Sequence, residues 1–320
     1  MNIKPLYREI PLARIDLSDR TFRLAPIENE VTGNRSRDFI TRWAVIHPPV
    51  LQEKEEDGFI IVTGRQQIIA ARALPDKEYC GCLILPSHTP ALDLLGLALQ
   101  EILLSRPATP IEKAVCWRMG VVLAGRDRAG QELGTLLELS GRMSTAGLEK
   151  LLTLDREIQE ALHRGSLELK TCFKLLDMKQ ADRASLFEII AQLRLSSSNQ
   201  RKIIELCREL EKREARSIAE ILTESECLEI VNHAEANPPQ KTAMLMTWLK
   251  GRCYPRLSEA EAAFRGFVAK LRLPKGAAVE HATSFEKDSL KLTIEFADRD
   301  QLAEKWPIIS KTITSGNQGR

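Results

Sequence analysis

The segment DGFIIVTGRQQIIAARAL, residues 57–74, carries an apolar β-branched run into a helical pattern through Gly64, and places Arg65, Gln66 and Gln67 on the first helical turn. A helix N-terminus has free N–H groups and a partial positive charge, and a glycine there lets a ligand approach the backbone. Such a junction can seat an anion. The same residues also fit an ordinary strand-to-helix turn whose glycine only solves a backbone problem. Glu53, Glu55, Glu56 and Asp57 gather carboxylates of the kind metal-dependent nuclease chemistry needs, yet they fit a solvated hairpin turn better. Of seven cysteines only Cys80 and Cys82 lie close, and no Cys/His spacing matches zinc, so they read as reduced thiols.

A second group of residues could meet nucleic acid. Gln131 to Leu139 and Ser144 to Leu152 read as short helices about the turn Ser140-Gly141-Arg142-Met143. That is the outline of a helix-turn-helix, and equally of a plain helical hairpin. Arg142 and Lys150 would carry the electrostatic part of a DNA contact, and Ser144 and Thr145 suit phosphates or base edges. Gly147 weakens the second helix by about 1 kcal/mol relative to Ala.

These groups need elements to position them. Strand signals fall at 10–17, at 49–51, at 59–62 and at 82–85, with a helical face of Ile68, Ile69, Ala71 and Leu74. From Leu92 the pattern is helical. Thr109 is the expected N-cap of a helix opening at Pro110 and running to about Ala124, and residues 125–130 read as a charged turn. Helices are expected at 155–165, 168–178, 181–193, 199–216, 217–222, 226–235, 241–250 and 259–271, with Asn237-Pro238-Pro239 as a linker-like break. The tail predicts strands at 278–285 and 289–296 and a last helix capped by Asp298.

At 320 residues the chain is long enough for two or three domains. A net charge of +2 means any nucleic-acid contact is a local basic face, and 5% aromatics argues against base stacking as the main binding mode. The N-terminus lacks a signal-peptide pattern and no apolar run is long enough to span a bilayer, so a cytoplasmic protein with no membrane contact is expected.

The order of a strand–Gly–helix, a Pro-Ile-Glu helix and a helix-turn-helix resembles the ParB family of chromosome and plasmid partition proteins. Where the family has Gly-Glu-Arg-Arg-x-x-Ala after a strand, this chain has Gly64-Arg65-Gln66-Gln67-Ile68-Ile69-Ala70-Ala71. Where it has Glu-Asn-x-x-Arg and then Asn-Pro-Ile-Glu-Glu-Ala, this chain has Glu101-Ile102-Leu103-Leu104-Ser105-Arg106 and Thr109-Pro110-Ile111-Glu112-Lys113-Ala114. Residues 151–167, LLTLDREIQEALHRGSL, match the stretch that follows the family's helix-turn-helix. The resemblance covers roughly residues 8–195.

The resemblance implies a multidomain α+β fold. A small α/β ParB/sulfiredoxin-like domain (1–90) would precede an all-α central domain (91–236) holding the helix-turn-helix at about 131–152. A linker and helix (237–257) and a C-terminal helix plus ββα dimerisation unit (258–320) would complete it. It implies binding of double-stranded DNA in partition or a related plasmid or chromosome-maintenance role, on the nucleoid, as a homodimer, with a ParA-type ATPase as a partner. It also implies CTP with Mg2+ in a pocket formed by Arg23, Gly64, Arg65, Gln66, Gln67, Glu101 and Arg106, with Glu101 toward the metal. Departures bear on that pocket. Gln66 and Gln67 stand where the family has arginines, Ile102 where it has a metal-associated asparagine, and Ser105 where it has an arginine. They predict a pocket weakened, altered in specificity or lost, and leave CTP hydrolysis an expectation of the resemblance and not of these residues. One extra residue also lies between Ser140 and Leu148 relative to the family pattern. Two alternatives remain: an adaptor or regulatory protein of this fold that has lost nucleotide and DNA binding, and an enzyme of this fold, a nuclease or kinase. Sulfiredoxin chemistry would need a cysteine in the glycine junction, and residues 64–71 contain none.

Overall fold

A computed structural model describes residues 4–26, 42, 45, 47–55, 58–271, 273, 276–281 and 289–315. Two compact units emerge, Met1–Lys179 and Gln180–Arg320, and the boundaries expected near residues 90 and 236 fall inside one or the other.

The first unit opens with a mixed sheet. Strands β1 (Leu6–Pro11), β2 (Val50–Glu53), β3 (Phe59–Ile61) and β4 (Tyr79–Leu85) lie in the order β1-β4-β2-β3. β4 runs antiparallel to β1 and parallel to β2, and β2 pairs antiparallel with β3. Helix α1 (Arg65–Arg72) packs Ile68 and Ala71 into a core with Ile10, Leu51, Ile61 and Ile84. The first strand lies earlier than its expected span of 10–17. A 3-10 turn at Leu12–Arg14 ends the strand and brings Leu12 and Ile15, three residues apart, to the same buried side, a spacing that a strand's period of two would not give. Cys80 and Cys82 lie in this core, and all seven cysteines are free and buried.

Helices α2 (Ala91–Ser105), α3 (Pro110–Ala124), α4 (Arg126–Leu137), α5 (Thr145–Leu151), α6 (Arg156–His163) and α7 (Leu169–Leu176) complete the unit. Leu95, Leu99, Trp117, Leu133, Leu137 and Leu148 share a second core. α3 starts as expected: Thr109 accepts from the Glu112 N–H while the Glu112 side chain accepts from the Thr109 N–H, with Pro110 at the first position. The charged turn expected over 125–130 is instead one residue, Gly125, at φ +80°. Arg126, Asp127 and Arg128 form the first turn of α4, because Ala129, Leu133 and Leu137, spaced by four, face the core.

In the second unit, helices α8 (Gln180–Gln192), α9 (Ser197–Glu214), α10 (Ile218–Leu222), α11 (Ser225–Val231), α12 (Pro238–Cys253) and α13 (Pro255–Lys270) form a helical array. The Asn237-Pro238-Pro239 break is the start of α12. Asn237 and Gln240 form a reciprocal capping box and Pro238 takes the first helical position. Arg252 ties the array together through Glu214 on α9 and Glu224 before α11, with its guanidinium over the Trp248 ring. Strands β5 (Ala277–His281) and β6 (Leu290–Ile294) pair antiparallel ahead of α14 (Arg299–Ser315). Asp298 caps α14 by accepting from the Gln301 N–H at 2.7 Å. The turn expected at 286–288 lies outside the described residues.

Candidate ligand cleft and helix-turn-helix

Gly64 stands between β3 and α1 at φ +78° and ψ 23°, a left-handed conformation. A Cβ placed there would sit 2.7 Å from the Pro49 Cα, so no side chain fits. The junction opens onto a cleft of about 410 Å³. Arg23, Gly64, Arg65, Gln66, Gln67, Glu101 and Arg106 all line it. The apolar wall comes from Phe22, Leu24, Ile61, Val62 and Ile69, with Ala98 and Ile102 on α2.

The charged residues of the cleft are engaged with the chain itself. Arg65 donates to the carbonyl oxygens of Leu17 and, at 2.9 Å, Asp19. One helical face further on, Arg72 donates to the carbonyls of Leu12 and Ile15, so both arginines hold the segment that leads to Arg23. Glu101 projects from α2 and lines the cleft beside Thr63 and Gly64. Burial pushes this carboxyl above its usual range, against the polar groups of Thr63 and Gly64 and the pull of His47.

At the far wall Arg106 makes two parallel bonds to Glu112, at 2.6 and 2.8 Å. Glu112 is 1% exposed. Burial opposes its ionisation, but the Arg106 bonds and the Thr109 N–H prevail and its carboxyl titrates below the usual range. The Thr109 hydroxyl lies 2.9 Å from His163 Nδ1. That oxygen also accepts from the Glu112 N–H and keeps a second lone pair, so the pair forms with either tautomer of the ring. Burial and the neighbouring Arg106 and Arg164 keep the imidazole from protonating, against the attraction of Glu112.

Thr63, Glu112 and His163 were not among the expected site residues. Glu112 carries a local signal, its place three residues after Thr109. His163 carries none, and reaches the cleft because α6 packs on α3. Among the described residues no three His, Cys, Asp or Glu side chains gather as a metal set. Glu53 pairs with Arg8 at 2.8 Å, and Glu56 and Asp57 lie outside the described residues. A Mg2+–triphosphate does not fit the side chains as they stand: Arg65 and Arg106 are turned to partners within the chain, and Ile102 offers no metal ligand.

The second candidate site is α4, a 3-10 turn at Gly141–Met143, and α5. Leu133, Leu137, Leu148 and Leu151 are buried beneath the motif, and Glu149 accepts from Trp117 Nε1 at 3.0 Å and pairs with Arg126 at 2.8 Å. Lys150 is exposed, Thr145 is half-buried, and the Ser144 oxygen caps α5 by accepting from the Gly147 N–H at 3.3 Å. Arg142 stands on the turn, with its side chain outside the described residues.

No helix among the described residues is long and apolar enough to cross a membrane. No family model matches the chain, and no curated protein matches it. Two solved structures of the C-terminally truncated chromosome-partitioning protein ParB from Caulobacter crescentus are similar in part. The one complexed to the centromeric parS site is 18% identical, covering 62% of this chain and 98% of that one, with a TM-score of 0.33. The one complexed with CTP-gamma-S is 20% identical, covering 54% of this chain and 93% of that one, with a TM-score of 0.24.

Proposed function

We propose that the chain is a ParB-like DNA-binding protein of a partition or related plasmid or chromosome-maintenance system, with a degenerate CTP-type pocket. The observation that carries this reading is the helix-turn-helix frame of α4 and α5 over a shared leucine core, which leaves Lys150 exposed. It sits in the same unit as a cleft lined by the residues that stand in the places of the family's nucleotide motifs. On this reading Arg142, Ser144, Thr145 and Lys150 face double-stranded DNA, and the C-terminal ββα unit joins two copies. The test is immunoprecipitation of the tagged protein from its host with sequencing of the recovered DNA. Enrichment at a discrete site is the expected result, and a flat profile would remove the DNA-binding reading. A narrow peak fits a pocket that does not drive spreading, and a broad skirt fits one that does.

One observation favours a second reading, an adaptor without either ligand: Arg65 and Arg106 are committed to internal partners. A flat profile together with an intact fold would promote it.

A further inference from the structure

Helix α5 has seven residues, Thr145–Leu151, with Gly147 among them. At about two turns it has little stability of its own, and its neighbours set its orientation. Gly147, Leu148 and Leu151 are buried. Apolar packing is non-directional, so it fixes how deep the helix lies and leaves its rotation about its own axis loosely set. Glu149 supplies directional contacts. Its carboxylate accepts from Trp117 Nε1 on α3 at 3.0 Å and pairs with Arg126, the first residue of α4, at 2.8 Å. One side chain of α5 is thereby tied to two other helices. Trp117 is 2% exposed, so loss of Glu149 would leave a buried N–H without its partner. A neighbouring tie is weaker. Lys113 on α3 bonds Glu138, just after α4, at 2.7 Å, but the Glu138 side chain is 73% exposed, and exposed pairs contribute little. Successive residues on a helix point about 100° apart, so a rotation of α5 that moves Glu149 swings Thr145 and Lys150 with it.

We propose that Glu149 is a positioning residue of the helix-turn-helix: held by Trp117 and Arg126, it sets the rotation of α5 and so the aim of Thr145 and Lys150 at DNA. The inference rests on the DNA-binding reading of the α4–turn–α5 pair. The pairing with Arg126 also offsets an acidic charge next to Lys150 that would otherwise oppose DNA phosphates. Trp117 acts at one remove, since it lies in the core and reaches α5 through the Glu149 carboxylate.

The experiment is fluorescence anisotropy of the full chain on two labelled duplexes of equal length, one carrying the site recovered from the host and one a scrambled sequence. Wild type, Trp117→Phe, Glu149→Ala and Glu149→Gln are compared, each shown to be folded by circular dichroism. Phenylalanine keeps the ring in the core and drops the N–H. Glutamine keeps an acceptor for that N–H, and alanine does not. Trp117→Phe and Glu149→Ala should bind the site roughly ten-fold more weakly and the scrambled duplex about as well as wild type, a loss of the size of one mismatched base pair. Glu149→Gln should stay within about two-fold of wild type on the site. Trp117→Phe removes no charge, so its slope of log affinity against log salt should match the wild type. Glu149 is a partly exposed residue, so the alanine–glutamine comparison carries the test should Trp117→Phe fail to fold. Wild-type affinity in the folded variants overturns the inference, as does a loss shared equally by the two duplexes or a glutamine variant no better than alanine. A wild type that separates the two duplexes beside unaffected variants sinks this inference alone. A wild type that cannot separate them sinks the DNA-binding reading itself.

Discussion

Gly64 has two steric reasons to be glycine, its positive φ and the Pro49 backbone packed against it. A left-handed residue with a side chain costs about 1–2 kcal/mol before any clash. Gly64→Ala is therefore expected to lower the unfolding free energy by more than that, read from urea denaturation followed by circular dichroism. The backbone thus requires the glycine at the corner that opens onto the cleft. Glu112 supports the opposite wall. Its folded pKa is depressed, so its contribution is full above the unfolded value of about 4.5 and is lost as pH falls through the folded one. The depressed imidazole of His163 has the same sign, full above about 6.5 and lost in acid. Stability should therefore decline below about pH 6.5 and again below about 4.5. Glu112→Gln should cost on the order of 2 kcal/mol at neutral pH and make the second decline shallower, since Asp16, Glu138, Glu149 and Glu224 are held below their usual range as well, and urea melts across pH would show this. At this scale the types of the cleft residues could be read in the sequence, but their partners could not. Nothing near Arg65 or Arg106 in the chain says that one meets the carbonyls of Leu17 and Asp19 while the other folds back on Glu112.

Helix starts were legible because their signals are local. Thr109-Pro110 with Glu112 marked the opening of α3 correctly. The same logic applied at Asn237-Pro238-Pro239 would have marked α12, where two prolines in a row suggested a linker instead. The 125–130 stretch was hidden for a different reason: the exposed first turn of α4 is rich in charge, and only Ala129 and the leucines four and eight residues on reveal the helix. The α4–turn–α5 pair depends on such packing, since Leu133, Leu137 and Leu148 share one core. If the pair meets DNA, Lys150→Ala should weaken binding similarly across sequences and lower the slope of log affinity against log salt by about one unit. Fluorescence anisotropy on the recovered site at several salt concentrations measures this. An unchanged slope would place Lys150 off the interface.

The two units differ in how completely they cover their apolar surface. The first buries a core of leucines and isoleucines such as Leu51, Ile68, Leu95 and Leu133 among its sheet and helices, and the helical array of the second does the same around Ile203, Ile221 and Leu245. The C-terminal β5–β6–α14 segment does not. Leu290, Leu292, Leu302 and Trp306 are all exposed, with Trp306 at 54%, and a groove along α14 is lined by Leu302, Ala303, Trp306 and Pro307. A two-stranded hairpin with one helix is marginal in water, and apolar side chains left open on it are what a partner would cover. A second copy of the same segment is the occupant that the partition reading calls for, since a twofold axis would set two helix-turn-helix units on two half-sites. The intact chain should then sediment at about twice its 36.0 kDa mass at micromolar concentration. Trp306→Glu, which puts a charge into that surface, should sediment as a monomer while the helical signal of both units persists. The monomer should also bind an isolated half-site nearly as well as wild type but lose the gain from two half-sites joined, because linked sites add their binding energies only when one particle engages both. A wild-type chain that sediments as a monomer would remove the dimer and its twofold requirement on the DNA site, leaving the helix-turn-helix to be tested as a single module.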